Sequence, residues 1–319
     1  MQTDPAAKLS IPRTEYIASL AVVIIPFIGL IVAIYSFWGW GVTPIDIGIL
    51  LVMYAISGFG ITIGYHRLFT HRSFETTRFL RKVFAIMGST AIQGPVLRWV
   101  ATHRSHHQHS DCEDDPHSPN HHGGGVWGVL KGWWHAHVGW MFLDPKIDFP
   151  KYVRDFEDDH DIRKVSDQFG LWMLVGLIVP TIAGGLLTQS WTGVLLGFLW
   201  GGAVRIFLVH HVTFSINSIC HLWGSRPYRT TDLSRNNAIF GILAFGEGWH
   251  NNHHAFPRSA RHGLRWWQFD SSYCIIVMMK WLGLAWDINL PDEERSEAKR
   301  SAQRKDVVPN EVTQPNIVP

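Results

Sequence analysis

The sequence predicts an all-α integral membrane protein: four transmembrane helices under a cytosolic helical cap. Three observations predict it. Four uncharged apolar segments have membrane-crossing length, Lys and Arg put every long connection on one side, and histidines gather where those segments end. Of 319 residues, 46% are hydrophobic and only 17% charged, against about 25% charged in soluble domains. A formal charge of +2 leaves no basic surplus for nucleic acid. Cys112, Cys220 and Cys274 form no CxxC pair and no disulfide framework, as suits a reducing compartment.

The first span reads as 17–38, inside a stretch (16–45) without a charged side chain. It is too long for a signal-peptide core, and no small-residue cleavage site follows it. The second reads as 47–65. An uncharged stretch over 168–204, broken by Thr188-Gln189-Ser190, reads as two further spans at 169–188 and 191–213 joined by a tight turn. Two shorter apolar runs, Val83–Val96 and Ser272–Met279, read as interfacial or re-entrant helices.

Lys8 and Arg13 precede the first span, and Arg67, Arg72, Arg78, Arg81 and Lys82 follow the second. The links at 39–46 and 188–190 carry no Lys or Arg. The positive-inside rule then places both termini and the long connections in the cytoplasm, as for a bacterial inner membrane or its equivalent. The whole chain, 1–319, reads as a single domain, with the cap drawn from 66–168 and 214–286. The polar, proline-bearing tail 287–319 reads as disordered.

The histidine pattern carries the chemistry. His66 and His71 lie just past the second span. His103, His106 and His107 follow in HxxHH spacing, as do His250, His253 and His254. Asn217 and His221 lie four apart between them. Helical spacing of three and four gathers each set on one face. His66 and His71 are five apart, about 140° around an α-helix, so they either straddle two metals or a helix ends between them. All nine histidines reach one site only if Val83–Val96 does not cross the membrane. A lone histidine is more often a packed or surface residue than a ligand, but two HxxHH copies, a further pair and one consistent topology point to metal. Nine imidazoles exceed the four ligands of a structural zinc site. They suit two ions with four or five nitrogens each, without naming the metal. His117 and Asp115, in Asp-Pro-His, and Glu247, in Gly-Glu-Gly, are candidates to orient the ligand rings. The remaining histidines, His262 included, are assigned no ligand role.

At these motifs the chain resembles the membrane fatty-acyl desaturases, particularly the stearoyl-CoA type. HRLFTH, HRSHH and GEGWHNNHHAFP stand where that family has its three histidine boxes, and NSICHLWG stands where it carries a ninth histidine and a water-linked asparagine. The resemblance spans about Tyr54 to Arg261. It implies two iron ions, O2 as co-substrate, and cis-desaturation, with Δ9 as the expected position, of a long acyl chain in a bent tunnel. It also implies that Asn217 meets a metal through water and that Gln93, Trp99 and Thr213 line the bend. Tyr54 and Gly58 would close the methyl end, the glycine leaving a gap and the tyrosine acting as stopper. Ordinary helix packing would account for the same five residues.

The animal enzymes place a CoA-contacting Arg and an Asp before the second box. This chain has Ala101 and Thr102, with Arg98 as a substitute cation. Acyl-CoA, acyl-ACP (acyl carrier protein) and acyl lipid therefore all stand as substrates. Electrons would come from a separate ferredoxin, rubredoxin or cytochrome b5-like protein docking near Arg226, Arg229, Arg258, Arg261 and Arg265, though basic residues there also suit anionic lipid. A lipid hydroxylase on the same scaffold is the nearest competing reading. A metal transporter would need ligands along a transmembrane path, and the cores of spans one to three hold no His, Asp, Glu, Lys or Arg.

Overall fold

The structure, a computed structural model, describes residues 11–143 and 147–307. The first ten residues and 308–319 lie outside the described residues. Among those described, four helices are long and apolar enough to span a bilayer: Arg13–Ser36, Pro44–Thr70, Phe169–Thr188 and Trp191–His221.

Helix α1 (Arg13–Trp40) is apolar all round, and Ile25, Phe27, Ile28 and Tyr35 are each more than half exposed. Such a surface suits lipid, not water. Helix α2 (Pro44–Phe59) starts at a capping box. Asp46 N donates to Thr43 Oγ1 at 3.3 Å, and Thr43 N donates to Asp46 Oδ2 at 2.9 Å.

The second span continues without a break into a π-helical segment, Gly60–Thr70, which is buried along its whole length. Its wider turn settles the five-residue spacing. His71 N donates to His66 O at 3.1 Å, and the two rings lie 4.7 Å apart. The pair shares one cluster, so it does not straddle the two groups, and the helix ends at Thr70, between the two histidines, as the second alternative from the sequence has it. π-turns are uncommon and tend to mark functional sites.

Helix α3 (Arg78–Ser89) is too short to cross a bilayer. Its 12 residues span about 18 Å, against a bilayer core of about 30 Å. It packs on the π-helical segment through glycines: a Cβ on Gly60 would strike the Gly88 backbone, and one on Gly64 would meet Phe84. A sharp turn follows, with Ile92 at φ 57° and Gly94 at φ 99°. Helix α4 (Val96–His109) carries the second histidine box, and α5 (Gly125–His137) lies against the fourth span with Val126 and Trp127 exposed. Two short helices, α6 (Phe149–Tyr152) and α7 (His160–Asp167), complete this part of the cap. Ion pairs tie it to the end of the second span: Arg72 and Arg104 to Asp155, and Arg81 to Asp159.

Helix α8 (Phe169–Thr188) turns at Gln189 into α9 (Trp191–Leu196), a π-helical segment (Gly197–Val204) and α10 (Arg205–Ser218). The two legs approach closely because a Cβ on Gly184 would strike Gly193 and Gly197. Arg205 is fully buried in the fourth span, not at its end. It donates to carbonyls of Gly201, Thr90 and Gly176 and to Ser57 Oγ, so three spans and the turn after α3 meet on one guanidinium.

Beyond this lie α11 (Ala238–Leu243), α12 (His250–Ala255) with the third box, and α13 (Ser271–Trp281). A two-residue antiparallel ribbon pairs β1 (Glu75–Thr76) with β2 (Ala285–Trp286), and isolated bridges join Asn236 to Ser225 and to Trp249, a departure from an all-helical chain. The tail is a second departure from the sequence reading. Instead of being disordered throughout, it forms α14 (Glu293–Val307). Arg229 N donates to Lys299 O at 3.2 Å, and Lys299 Nζ to Ala255 O at 2.6 Å. The low apolar content that suggested disorder is offset by these contacts to the third box.

Candidate metal centre

The nine histidines converge in two groups. His66, His71, His103, His107 and His253 form one, and His106, His221, His250 and His254 form the other, each with ring nitrogens within 4.8 Å of one another. Each HxxHH motif serves both. On α4, His103 and His107 turn to the first group and His106 to the second. On α12, His250 and His254 turn to the second and His253 to the first. The α-helical offset between positions three and four apart separates them.

The inward nitrogens crowd together without ordinary partners. His253 Nε2 lies 3.1 Å from His66 Nε2 and 2.9 Å from His107 Nε2, and His221 Nε2 lies 3.0 Å from His250 Nε2. The buried Nε2 atoms of His71, His106 and His254 have no hydrogen-bond partner. Buried polar groups are nearly always satisfied, so converging orphaned nitrogens fit a pair of metal ions. Burial, then the charge of neighbouring groups, holds His71, His103, His107, His250 and His253 well below the ordinary imidazole range. They are thus neutral, the form that binds metal.

The outward nitrogens meet carboxylates. His66 Nδ1 lies 2.5 Å from Glu247, His106 Nδ1 2.9 Å from Asp115, His221 Nδ1 2.8 Å from Asp111 and His254 Nδ1 2.9 Å from Asp232. Each carboxylate fixes a ring's tautomer and direction. His117 packs against His106, ring centroids 4.4 Å apart and tilted, beside Asp115. Burial would raise Asp111, Asp115 and Asp232, but the partner histidines and further hydrogen bonds hold all three below the usual carboxylate range. Glu247 differs, for burial pushes it up to about 7 against the pull of Arg67.

Sequence reasoning missed Asp111, Asp232 and Arg67. Arg67 is fully buried and donates to Glu247 at 2.7 Å, to Asp270 at 3.2 Å and to Ala260 O at 3.0 Å. A charge alone within the apolar 60–70 segment was the available signal for it. Nothing local marks Asp232. Asp111 opens the acidic run 111–115, where only Asp115 was singled out. His262 was also passed over, yet it is buried among Glu247, His66 and His253.

The sequence-predicted pocket residues gather beside the clusters. A cavity of about 380 Å³ reaches from Glu15, Arg98 and Met141 to His66, His103 and Asn217. Trp99 Nε1 donates to Gln93 Oε1 at 3.3 Å, and Gln93 Nε2 to Thr213 Oγ1 at 3.0 Å, so these three form one linked wall. Tyr54 and Gly58 line a smaller cavity beyond. Gly58 leaves no gap, however. A Cβ there would overlap the Phe245 ring, because Phe245 already fills the space. Arg98 is not a free cation at the mouth, since Glu15 pairs with it at 2.7 Å.

Four membrane-length helices beside two buried histidine clusters define an integral-membrane protein with a site fit for two metal ions and an apolar chamber next to it. The sequence model of the fatty acid desaturase family matches residues 43–273. The chain is 45% identical, over 88% of its length and 88% of the relative's, to a hex-5-enoyl-(acyl-carrier protein) acetylenase of Moorena producens. It is 38% identical to an sn-1 stearoyl-lipid 9-desaturase of Synechocystis (84% of this chain, 78% of the relative) and 41% identical to an acyl-CoA C20 Delta5-desaturase of Anemone leveillei (77% and 74%). The chain belongs to the fatty acid desaturase family, and it is an oxidoreductase, a fatty acyl desaturase.

Proposed function

We propose that the chain inserts a cis double bond, at Δ9, into a long acyl chain, using O2 and two electrons at a non-haem di-iron centre. Two hydrogens leave adjacent methylenes and, with two electrons and two protons, reduce O2 to two waters. The convergence of nine histidines at the inner end of a mainly apolar cavity carries this reading.

In it, His66, His71, His103, His107 and His253 hold one iron, and His106, His221, His250 and His254 hold the other, with Asn217 reaching it through water. Two irons so held, with O2, supply an oxidant able to take hydrogen from an unactivated methylene. The chain's own residues do the positioning. Asp111, Asp115, Asp232 and Glu247 aim the rings, and His117 packs behind His106. Gln93, Trp99 and Thr213 bend the acyl chain, and the apolar walls keep water out. A misplacement of about 1 Å can cost about a hundredfold in rate.

The substrate is carried as acyl lipid, acyl-CoA or acyl-ACP, and the names of the relatives span all three. A separate ferredoxin, rubredoxin or cytochrome b5-like donor supplies the electrons near Arg226, Arg229, Arg258, Arg261 and Arg265, and the site faces the cytoplasm. The identity with an acetylenase supports a second reading, removal of two hydrogens from an existing double bond. Mass spectrometry of fatty acids from a desaturase-deficient host that expresses the chain, fed saturated and, separately, monounsaturated acyl chains, tests both. A cis alkene supports the first reading and an alkyne the second. A hydroxylated chain alone would refute both.

A further inference from the structure

The large cavity does not end at the histidine clusters. A second chamber, of about 30 Å³, continues past them. It shares Ile61, Thr213, Ile216 and Glu247 with the first, so the histidine clusters lie beside the junction. Its far end is Tyr54, Gly58, Leu243 and Phe245.

Phe245 dominates that end. Its ring occupies the volume over Gly58 and lies 4.3 Å from Phe59 and 5.5 Å from Tyr54, centroid to centroid. Tyr54 acts as a buttress: its hydroxyl donates to Leu243 O at 2.8 Å, which pins the α11 end against the second span. The Phe245 backbone is left-handed, at φ 54°, where an aromatic side chain is rarely found. Its amide donates to Ile242 O at 3.2 Å, and its carbonyl accepts from Ser272 N at 3.3 Å, so both sides of the peptide are held. Two residues on, Glu247 meets the His66 ring. One short, fixed turn therefore sets the distance from the ring to the histidine clusters.

We propose that the Phe245 ring is the wall at the methyl end of the acyl tunnel and limits how much chain extends past the metals. This rests on the desaturase reading above. The second chamber is small beside the first, about 30 Å³ against about 380 Å³. Phe245→Ala opens it towards Gly58. Each further methylene buried is worth about fourfold in relative affinity, so a chain two carbons longer gains about fifteenfold over the preferred one.

Two measurements on the purified full chain test this. One is the product profile from saturated acyl substrates differing in length by two carbons. The other is stabilisation of the same protein by free fatty acids of those lengths, read as a shift in melting temperature. Phe245→Ala should move both optima to longer chains by at least two carbons, and Phe245→Leu should move them less. The double bond, counted from the carboxyl end, should stay in place. Metal content at wild-type level shows that the variants are intact, and should Phe245→Ala fail to fold, the Leu variant decides. Unchanged optima in both measurements would overturn the proposal, and so would a moved double bond. Should wild type yield only hydroxylated chains, the desaturase reading fails; a shifted length optimum would still uphold the wall.

Discussion

Asp111 offers the most direct test of the metal centre, because it joins more partners than any side chain inferred from the motifs. Its Oδ2 accepts from His221 Nδ1 and from Leu233 N, both at 2.8 Å, and its Oδ1 accepts from Ser118 Oγ at 2.7 Å and Asn120 Nδ2 at 2.6 Å. Asp111→Asn keeps the shape but removes the charge and turns one acceptor into a donor. Two of the four bonds are then lost or reversed, each worth about 1.5–3 kcal/mol when the acceptor is charged. Loss of such a partner behind a ligand histidine lowers metal affinity about 10–100-fold, or roughly 1.4–2.7 kcal/mol. The expected result is selective. Under graded chelator competition, with iron counted per chain, the variant should fall to one iron where wild type keeps two. Asp114, exposed three residues on, gives the control, and its Asn variant should behave as wild type. If Asp111→Asn keeps both irons with the wild-type midpoint, the carboxylate only ties loops together and the ring-orienting argument fails.

Alanine at any of the nine clustered histidines should abolish turnover and lower iron below two per chain, whereas His262→Gln should keep both irons; two fully active ligand variants would refute the assignment. Cysteine labels at residues 120 and 230 should react from the cytoplasmic side and one at Gln189 from the opposite side. Labels at 5 and 310, outside the described residues, should follow the first two. Labels at 120 and 230 on opposite sides would break the convergence argument. Arg67→Met strands Glu247 and Asp270 as buried carboxylates, so thermal unfolding in detergent should reveal a loss of about 3–5 kcal/mol. An unchanged melting temperature would mean that Arg67 is dispensable.

Much of this was legible in the sequence because it depends on local periodicity. The four spans lie close to where uncharged length placed them, and both HxxHH motifs share a helical face as their spacing required. What was not legible depends on contacts between distant segments. Asp232 reaches His254 from 22 residues away and Arg67 reaches Asp270 from 203, and neither pairing leaves a local pattern. The π-helical segment was hidden for another reason. Its composition is that of an ordinary apolar helix, and only the five-residue histidine spacing signalled a wider turn. Phe245 was hidden behind a glycine: the sequence marks a gap at Gly58, but a gap can be filled from another segment. The tail was misread because polar composition measures what a helix cannot bury by itself. It does not register what Lys299 gains against the third box.

The two clusters differ in charge as well as in ligand number. Three of the four histidines in the smaller cluster back onto Asp111, Asp115 or Asp232, and among the described residues no Arg or Lys forms an ion pair with these carboxylates. In the larger cluster only His66 backs onto a carboxylate, and that one, Glu247, is shared with Arg67. An ion in the smaller cluster would therefore sit beside three carboxylates, and one in the larger beside a single carboxylate that Arg67 already pairs. The smaller cluster makes up in charge what it lacks in nitrogens. The larger does the reverse, leaning on a fifth imidazole that only the π-turn between His66 and His71 supplies. The expected weak points follow. In the smaller cluster they are the carboxylates behind the rings, and in the larger they are the backbone geometry of the second span.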